Sequence, residues 1–267
     1  MQINTNVFVV TGGGSGIGRQ VVLGLVRRGA RVAAVDLNEA GLAETARLAG
    51  VGERLTTHVV DVTDRARVAA LADEVVATHG RVDGLLNVAG IIQPFVRVKD
   101  LDFAQMEKVM AVNFWGVINT TKTFLPLLLE RPAASLVNVA SMGAVAPVPG
   151  QTIYGASKAA VKMLTEGLYA ELMGTSVAAT IVIMGGSATD ITKNSGVEVP
   201  RTDAAKPGTG MTLTSPEDAA AQIIGAMEKG VFRVVVGKDA RSLDILSRIS
   251  PKKATETIAT RMKALLS

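Results

Sequence analysis

The chain has no cysteine in its 267 residues, so disulfides and thiolate metal sites are closed to it. Histidine is nearly absent as well. Only His58 and His79 occur, distant from each other in sequence, and neither a histidine-rich cluster nor metal-dependent chemistry is expected. Aromatic residues are 3% of the chain while apolar residues are 48%, which points to a core of Val, Ile, Leu and Ala such as parallel sheets covered on both faces use. No apolar run reaches the roughly 18 residues of a membrane span, and Met1 to Asn6 has neither the basic start nor the apolar stretch of a signal peptide. A soluble, cytoplasmic protein is the expectation. The net charge of +4 is small for the length, and no nucleic-acid motif or aromatic-basic interleaving accompanies it, so no nucleic-acid partner is expected.

What is present alternates. Short β-branched runs at Val7–Val10, Arg31–Val35, Leu55–Val60, Val82–Val88, Ser135–Val139, Val177–Ile183 and Val231–Val236 read as strands. Helical patterns lie between them: Gly16 to Arg28, about Glu39 to Leu48, Ala66 to Thr78, a long helical region ending near Leu129, a run from Gln151 to about Gly174, and one opening at Ser215-Pro216-Glu217-Asp218. This βαβ alternation predicts a single α/β domain, a Rossmann-like doubly wound parallel sheet with helices on both faces. Residues 184–214 are rich in glycine and proline and exceed the usual connection length; after a strand's carboxyl end they read as a substrate lid. Residues 237–267 form a C-terminal extension with two helices split near Pro251. From Lys229 onward nine basic residues face three acidic ones, a distribution that suits a solvated helical surface.

Three features carry chemistry. The first strand runs into Thr11-Gly12-Gly13-Gly14-Ser15-Gly16-Ile17-Gly18 and then a helix, the setting in which backbone N–H groups and the helix dipole receive a pyrophosphate. Gly12 would make the turn, Gly16 the close approach and Gly18 the tight helix–strand packing. Asp36 ends the second strand about 20 residues later, where its carboxylate can accept hydrogen bonds from an adenosine ribose and would repel a 2′-phosphate. Leu37 and Asn38 follow it and Ser15 stands in the loop, so nothing there would bind that phosphate, and NAD is favoured over NADP. Tyr154 and Lys158 lie four residues apart on one helix face, which sets an ammonium beside a phenol and would lower its pKa from about 10 toward a useful range for a general acid/base. The pair alone also fits an amphipathic helix with a solvated lysine. Ser141 follows the fifth strand and precedes Tyr154 by thirteen residues, which in this topology brings its hydroxyl to the mouth of the site.

Taken together, Thr11 to Gly18, Asp61-Val62, Asn87-Val88-Ala89-Gly90, Asn113, Ser141 and Tyr154 to Lys158 resemble the short-chain dehydrogenase/reductase family, in order and over nearly the whole chain. The resemblance implies an NAD(H)-dependent oxidoreductase interconverting a secondary alcohol and a ketone. It implies that Tyr154 exchanges the proton at the substrate oxygen, Ser141 orients that oxygen, Lys158 lowers the tyrosine pKa and binds the nicotinamide ribose, and Asn113 holds a relay water. Gly12, Ser15, Gly16, Ile17 and Gly18 would hold the pyrophosphate side, Asp36 and Leu37 the ribose, Asp61 and Val62 the adenine, and Asn87, Ala89 and Gly90 the adenosine side. Gly185 and Thr189 would meet the nicotinamide end. Phe95, Met142, Gly143, Gln151, Gly186 and Ile191 are expected around a mainly apolar substrate. A homotetramer or homodimer is implied, paired through the helices around Gln105–Leu129 and Tyr154–Leu172.

The chain departs from the family pattern in three places. Val88 replaces the second asparagine of the Asn-Asn-Ala-Gly motif, with little loss expected. Met184 replaces the proline before Gly185, which is expected to loosen the lid. The C-terminal extension exceeds the usual ending and is open to three roles: covering the pocket, joining subunits or resting on a membrane. Two other readings stay open, a reductase of bulky or lipid-like ketones with a membrane-surface tail, and a non-catalytic NAD(H)-binding regulatory protein on the same scaffold.

Overall fold

Runs of Val, Ile, Leu and Ala form β1 (Val7–Thr11), β2 (Arg31–Asp36), β3 (Leu55–Val59), β4 (Gly84–Asn87), β5 (Ala134–Ser141), β6 (Val177–Met184) and β7 (Arg233–Val236). The structure is a computed structural model that describes residues 1–187, 191–197 and 213–262. The strands make one parallel sheet in the order β3-β2-β1-β4-β5-β6-β7. The central strands are buried on both faces, and their sequences are mostly apolar, whereas edge strand β3 (Leu-Thr-Thr-His-Val) is half exposed.

Helices cover both faces. On one side α1 (Gly16–Arg27) and α8 (Pro216–Lys229) bury Val22, Leu25, Ile223 and Met227 against Phe8, Val10 and Val182. On the other, α3 (Arg65–His79), α5 (Gly116–Leu129) and α6 (Thr152–Glu171) set Leu71, Phe124 and Leu168 against Val9, Leu85 and Leu136. Each such side chain contributes about 1.5–3 kcal/mol on burial. The outer helices are closed by local signals: α2 (Glu39–Ala49) is capped by Asn38 and ends on Gly50 in the left-handed region, α3 by Asp64, and α8 by Ser215 with Pro216 at its first position.

The expected long helical region ending near Leu129 is present from Phe103 onward as one continuous run with a π-helical turn inside it. Residues 88–97 are not helical; a short 3₁₀ turn (Val98–Asp100), α4 (Phe103–Met110) and a π-helical turn (Ala111–Trp115) precede α5. Three segments remain: α7 (Ile191–Asn194), within the expected lid, and α9 (Lys238–Ile249) and α10 (Pro251–Arg261), the two helices expected in the extension. These last pack on the segment after β5, where Met142 and Ala146 join Ala240, Leu243, Ala254 and Ile258 in one buried cluster. Strand order reverses between β1 and β4, so the crevice at their carboxyl ends lies beside the glycine turn.

Candidate active site

The turn after β1 is held by backbone contacts that demand glycine. Gly12 has φ +75°, and a Cβ there would come within 2.9 Å of the Ala89 nitrogen; a Cβ on Gly18 would run into the Gly12 carbonyl. Thr11 latches the two sides of the crevice, its hydroxyl accepting from the N–H groups of Val88 (3.1 Å) and Ala89 (3.2 Å). At the start of α1 no side chain caps the helix and no carboxylate stands in its first turn, so the N–H groups of Gly16, Ile17 and Gly18 meet the requirements of an anion site. Ser15 accepts from Asn194 Nδ2 at 2.8 Å, fastening α7 to this turn.

Asp36 reaches the same turn. Its Oδ2 accepts from Gly14 N–H at 2.9 Å and its Oδ1 from Asn38 N–H at 3.0 Å. Arg19, which reaches the same turn, is committed elsewhere: its guanidinium donates to the carbonyls of Gly14 and Gly41 and to Thr45 Oγ1. Leu37 beside it is exposed. Asp61 is also exposed, accepting from the N–H and hydroxyl of Thr63, and Val62 is buried.

Tyr154 stands in the first turn of α6, half-buried beside Ser141 and Gly143 at the end of β5; desolvation raises the phenol above its ordinary range and the neighbouring Ser141 hydroxyl pulls it down. Lys158, one turn on, is 4% exposed; its Nζ donates to the Val139 carbonyl at 3.1 Å and sits over Gly90, where an added Cβ would lie 2.9 Å from it. Burial lowers the lysine from 10.5 to about 8. Burial and Ser141 act on the phenol, while the lysine, itself desolvated, is turned to Val139.

Several expected roles change with geometry. Asn113 is wholly buried; its Oδ1 accepts from Ile91 N–H and its Nδ2 donates to the Ile91 carbonyl, both at 2.9 Å, and to Ser157 Oγ at 3.0 Å. Its side chain is therefore a clasp between Ile91 and Ser157, in which Oδ1 uses one of its two acceptor positions. Asn87, expected beside the adenosine, has its side chain in the interior, donating to Asn138 Oδ1 at 2.9 Å and accepting from Thr120 at 2.7 Å. Met142, expected on the pocket wall, is buried under α9 and α10. Gln151 Nε2 donates to the Gln93 carbonyl at 2.6 Å, and its buried Oε1 has no partner among the described residues. Phe95 and Ile191 are half-buried, and Ala89 and Gly90 line the crevice opposite Gly12.

The expected loosening after Met184 is also corrected. Gly185 N–H donates to the Val236 carbonyl at 2.8 Å, Gly186 N–H to Asp239 Oδ2 at 2.8 Å, and Thr214 N–H to the Gly186 carbonyl at 3.0 Å. Asp239, from the first turn of α9, does the restraining that a proline would do by its ring. Thr189 and the stretch 198–212 of the expected lid lie outside the described residues.

A model of the family described as short chain dehydrogenase matches residues 6–199. The chain belongs to the short-chain dehydrogenase family. It is accordingly an oxidoreductase, as its relatives are named. The oxidoreductase SadH of Mycobacterium tuberculosis is 40% identical over 249 residues, covering 91% of this chain and 90% of that protein. The 1-deoxy-11-beta-hydroxypentalenate dehydrogenase of Streptomyces avermitilis is 33% identical over 245 residues, covering 91% and 88%. A short-chain dehydrogenase/reductase from Burkholderia phymatum, crystallised with NAD, superposes with a TM-score of 0.84 at 25% identity, over 96% of this chain and 97% of that one.

Within this short-chain dehydrogenase, sequence reading missed Gln93, Ser157, Asn194 and Asp239. Of these only Ser157 lies within a motif, Tyr154 to Lys158. Each acts through contacts between segments far apart in the chain, and no local spacing marks them. Among the described residues no helix is long and apolar enough to cross a membrane.

Proposed function

We propose that the chain is an NAD(H)-dependent oxidoreductase that interconverts a secondary alcohol and a ketone, with Tyr154 as general acid/base. The observation that carries the reading is the meeting of the Tyr154 phenol with Ser141 at the carboxyl end of β5, with Lys158 on the same helix face above Gly90. In alcohol oxidation the substrate hydroxyl passes its proton to the Tyr154 oxygen, and in the reverse direction the phenol returns it to the carbonyl oxygen. Ser141 holds the substrate oxygen by hydrogen bonding. NAD, when bound, supplies the hydride acceptor for the substrate carbon. Gly16, Ile17 and Gly18 hold its pyrophosphate by their N–H groups, and Asp36 holds the adenosine ribose and repels a 2′-phosphate, which Arg19 is not free to neutralise. Lys158 would bind the nicotinamide ribose, and Gly185 and Thr189 would serve the carboxamide end.

The phenol is held above its ordinary range by burial, so oxidation, which needs the phenolate, rises as pH is raised. Gly143, Gly186, Phe95 and Ile191 surround the substrate, and the C-terminal helices back the segment after Ser141, which favours an apolar, ring-bearing alcohol. The relative named for a hydroxypentalenate supports that class. Exposed Phe103, Trp115 and Met163 on the α4–α6 face support a homo-oligomer paired through these helices. The test is NADH formation at alkaline pH across secondary alcohols from short aliphatic to polycyclic. Turnover of one size class with NAD and not NADP supports the reading; no turnover in either direction, with NADH still bound, contradicts it.

A further inference from the structure

Helix α6 starts with Gln151 at its N-cap, and that side chain makes no bond to the first turn. The N–H groups of a first turn lack helical partners, and a cap places an oxygen on the second or third of them. Here the oxygen comes from the segment after β4. Gln93 Oε1 accepts from Ile153 N–H at 2.8 Å and from Tyr154 N–H at 3.0 Å. Its Nε2 donates to the Gly150 carbonyl at 2.9 Å, and its own carbonyl accepts from Gln151 Nε2 at 2.6 Å.

Gln93 is 1% exposed, so water does not compete for these bonds. The strand of chain that carries it is itself fixed. Both backbone polar groups of Ile91 pair with Asn113, and Ile92 N–H donates to Ser195 Oγ at 3.0 Å, just after α7. An amide anchored in this way on a rigid segment, with one of its two acceptor bonds on the N–H of Tyr154, fixes that residue's backbone directly.

We propose that Gln93 is a positioning residue for Tyr154, its side-chain amide supplying the cap α6 lacks and fixing the backbone from which the phenol reaches Ser141. The inference rests on Tyr154 acting as the acid/base. A displacement of the order of 1 Å in a reacting group is enough to lower turnover severely, so a cap on this turn has catalytic weight beyond the stability of a helix end. Loss of the amide lets the phenol withdraw from Ser141, whose hydrogen bond favours the phenolate.

The test needs no substrate, because the chain has only two tyrosines, Tyr154 and Tyr169. Protein labelled with 3-fluorotyrosine gives two fluorine resonances, assigned with Tyr154→Phe, and each is followed through an alkaline titration. In Gln93→Leu the Tyr154 midpoint is expected to move up by about one pH unit, the size of weakening one hydrogen bond to a charged group, with the Tyr169 midpoint and NADH binding unchanged. Gln93→Asn, which keeps the amide but is one carbon too short to reach both N–H groups, is expected to move it the same way and serves if the leucine variant does not fold. A lowered melting temperature with an unchanged Tyr154 midpoint overturns the proposal. A Tyr154→Phe protein that keeps its turnover instead removes the acid/base reading, so the two failures are distinguishable.

Discussion

Replacing Lys158 by methionine should stabilise the cofactor-free protein near neutral pH while impairing its activity. The lysine is buried, and its pKa falls from 10.5 to about 8, so the folded state holds an ammonium it disfavours by two and a half units. At about 1.4 kcal/mol per unit this is a cost of about 3 kcal/mol at pH 7. Methionine is of similar length and carries no charge, but it forfeits the 3.1 Å bond to the Val139 carbonyl, worth about 1 kcal/mol. The net gain is about 2 kcal/mol, or about 4–8 °C in melting temperature. Between pH 8 and 10.5 the folded protein binds fewer protons at this site than the unfolded chain, so wild-type stability from this group rises with pH through that window. The advantage of methionine should therefore shrink as pH rises and vanish around pH 10, leaving only the lost hydrogen bond beyond it. Paired thermal melts from pH 7 to 10.5, taken as the difference between variant and wild type, read this directly because other titrating groups cancel. A gain that is absent at pH 7, or one that does not decline with pH, refutes the assignment of a desolvated ammonium at this position.

Two further perturbations follow from the same contacts. Asp36→Ala removes the carboxylate that meets Gly14 and Asn38, and the preference for NAD over NADP should fall by about tenfold or more, as one lost charged hydrogen bond and one lost repulsion imply; an unchanged ratio of affinities means the ribose is read elsewhere. Asp239→Ala frees the Gly185–Gly186 turn, and NADH affinity should weaken by about tenfold, equivalent to about 1.4 kcal/mol, with partial recovery in Asp239→Ala/Met184→Pro. Equal NADH titrations for wild type and Asp239→Ala would show that the turn does not depend on this carboxylate.

The fold was legible because its signals are local. A strand buried on both faces, such as Val7 to Val10 of β1, is a continuous apolar run, and Asn38, Asp64 and Ser215-Pro216 mark helix starts within four residues of themselves. The glycine turn was legible for the same reason, since Gly12 and Gly18 are needed where backbone meets backbone. The helical composition from Phe103 on was legible too, whereas the π-helical turn at Ala111–Trp115, from which Asn113 clasps Ile91, has no mark in the spacing. The site divides along the same line. Residue types at Ser141, Tyr154 and Lys158 announce a chemistry, but what surrounds them comes from elsewhere in the chain: Gln93 from the segment after β4, Asp239 from α9, and Val139 as the acceptor for the lysine. Spacing sets Lys158 beside the phenol, but the burial that lowers the lysine's own pKa comes from the packing around it and has no mark in the sequence.

The most direct test of the central claim is turnover and NADH binding measured side by side in Tyr154→Phe, which deletes one oxygen and keeps the ring. NADH binding should be retained and turnover should fall by about 10²–10⁴-fold, the range of general acid/base catalysis. A variant that binds NADH and turns over an alcohol at the wild-type rate would contradict the assignment of Tyr154 as the proton-transferring group.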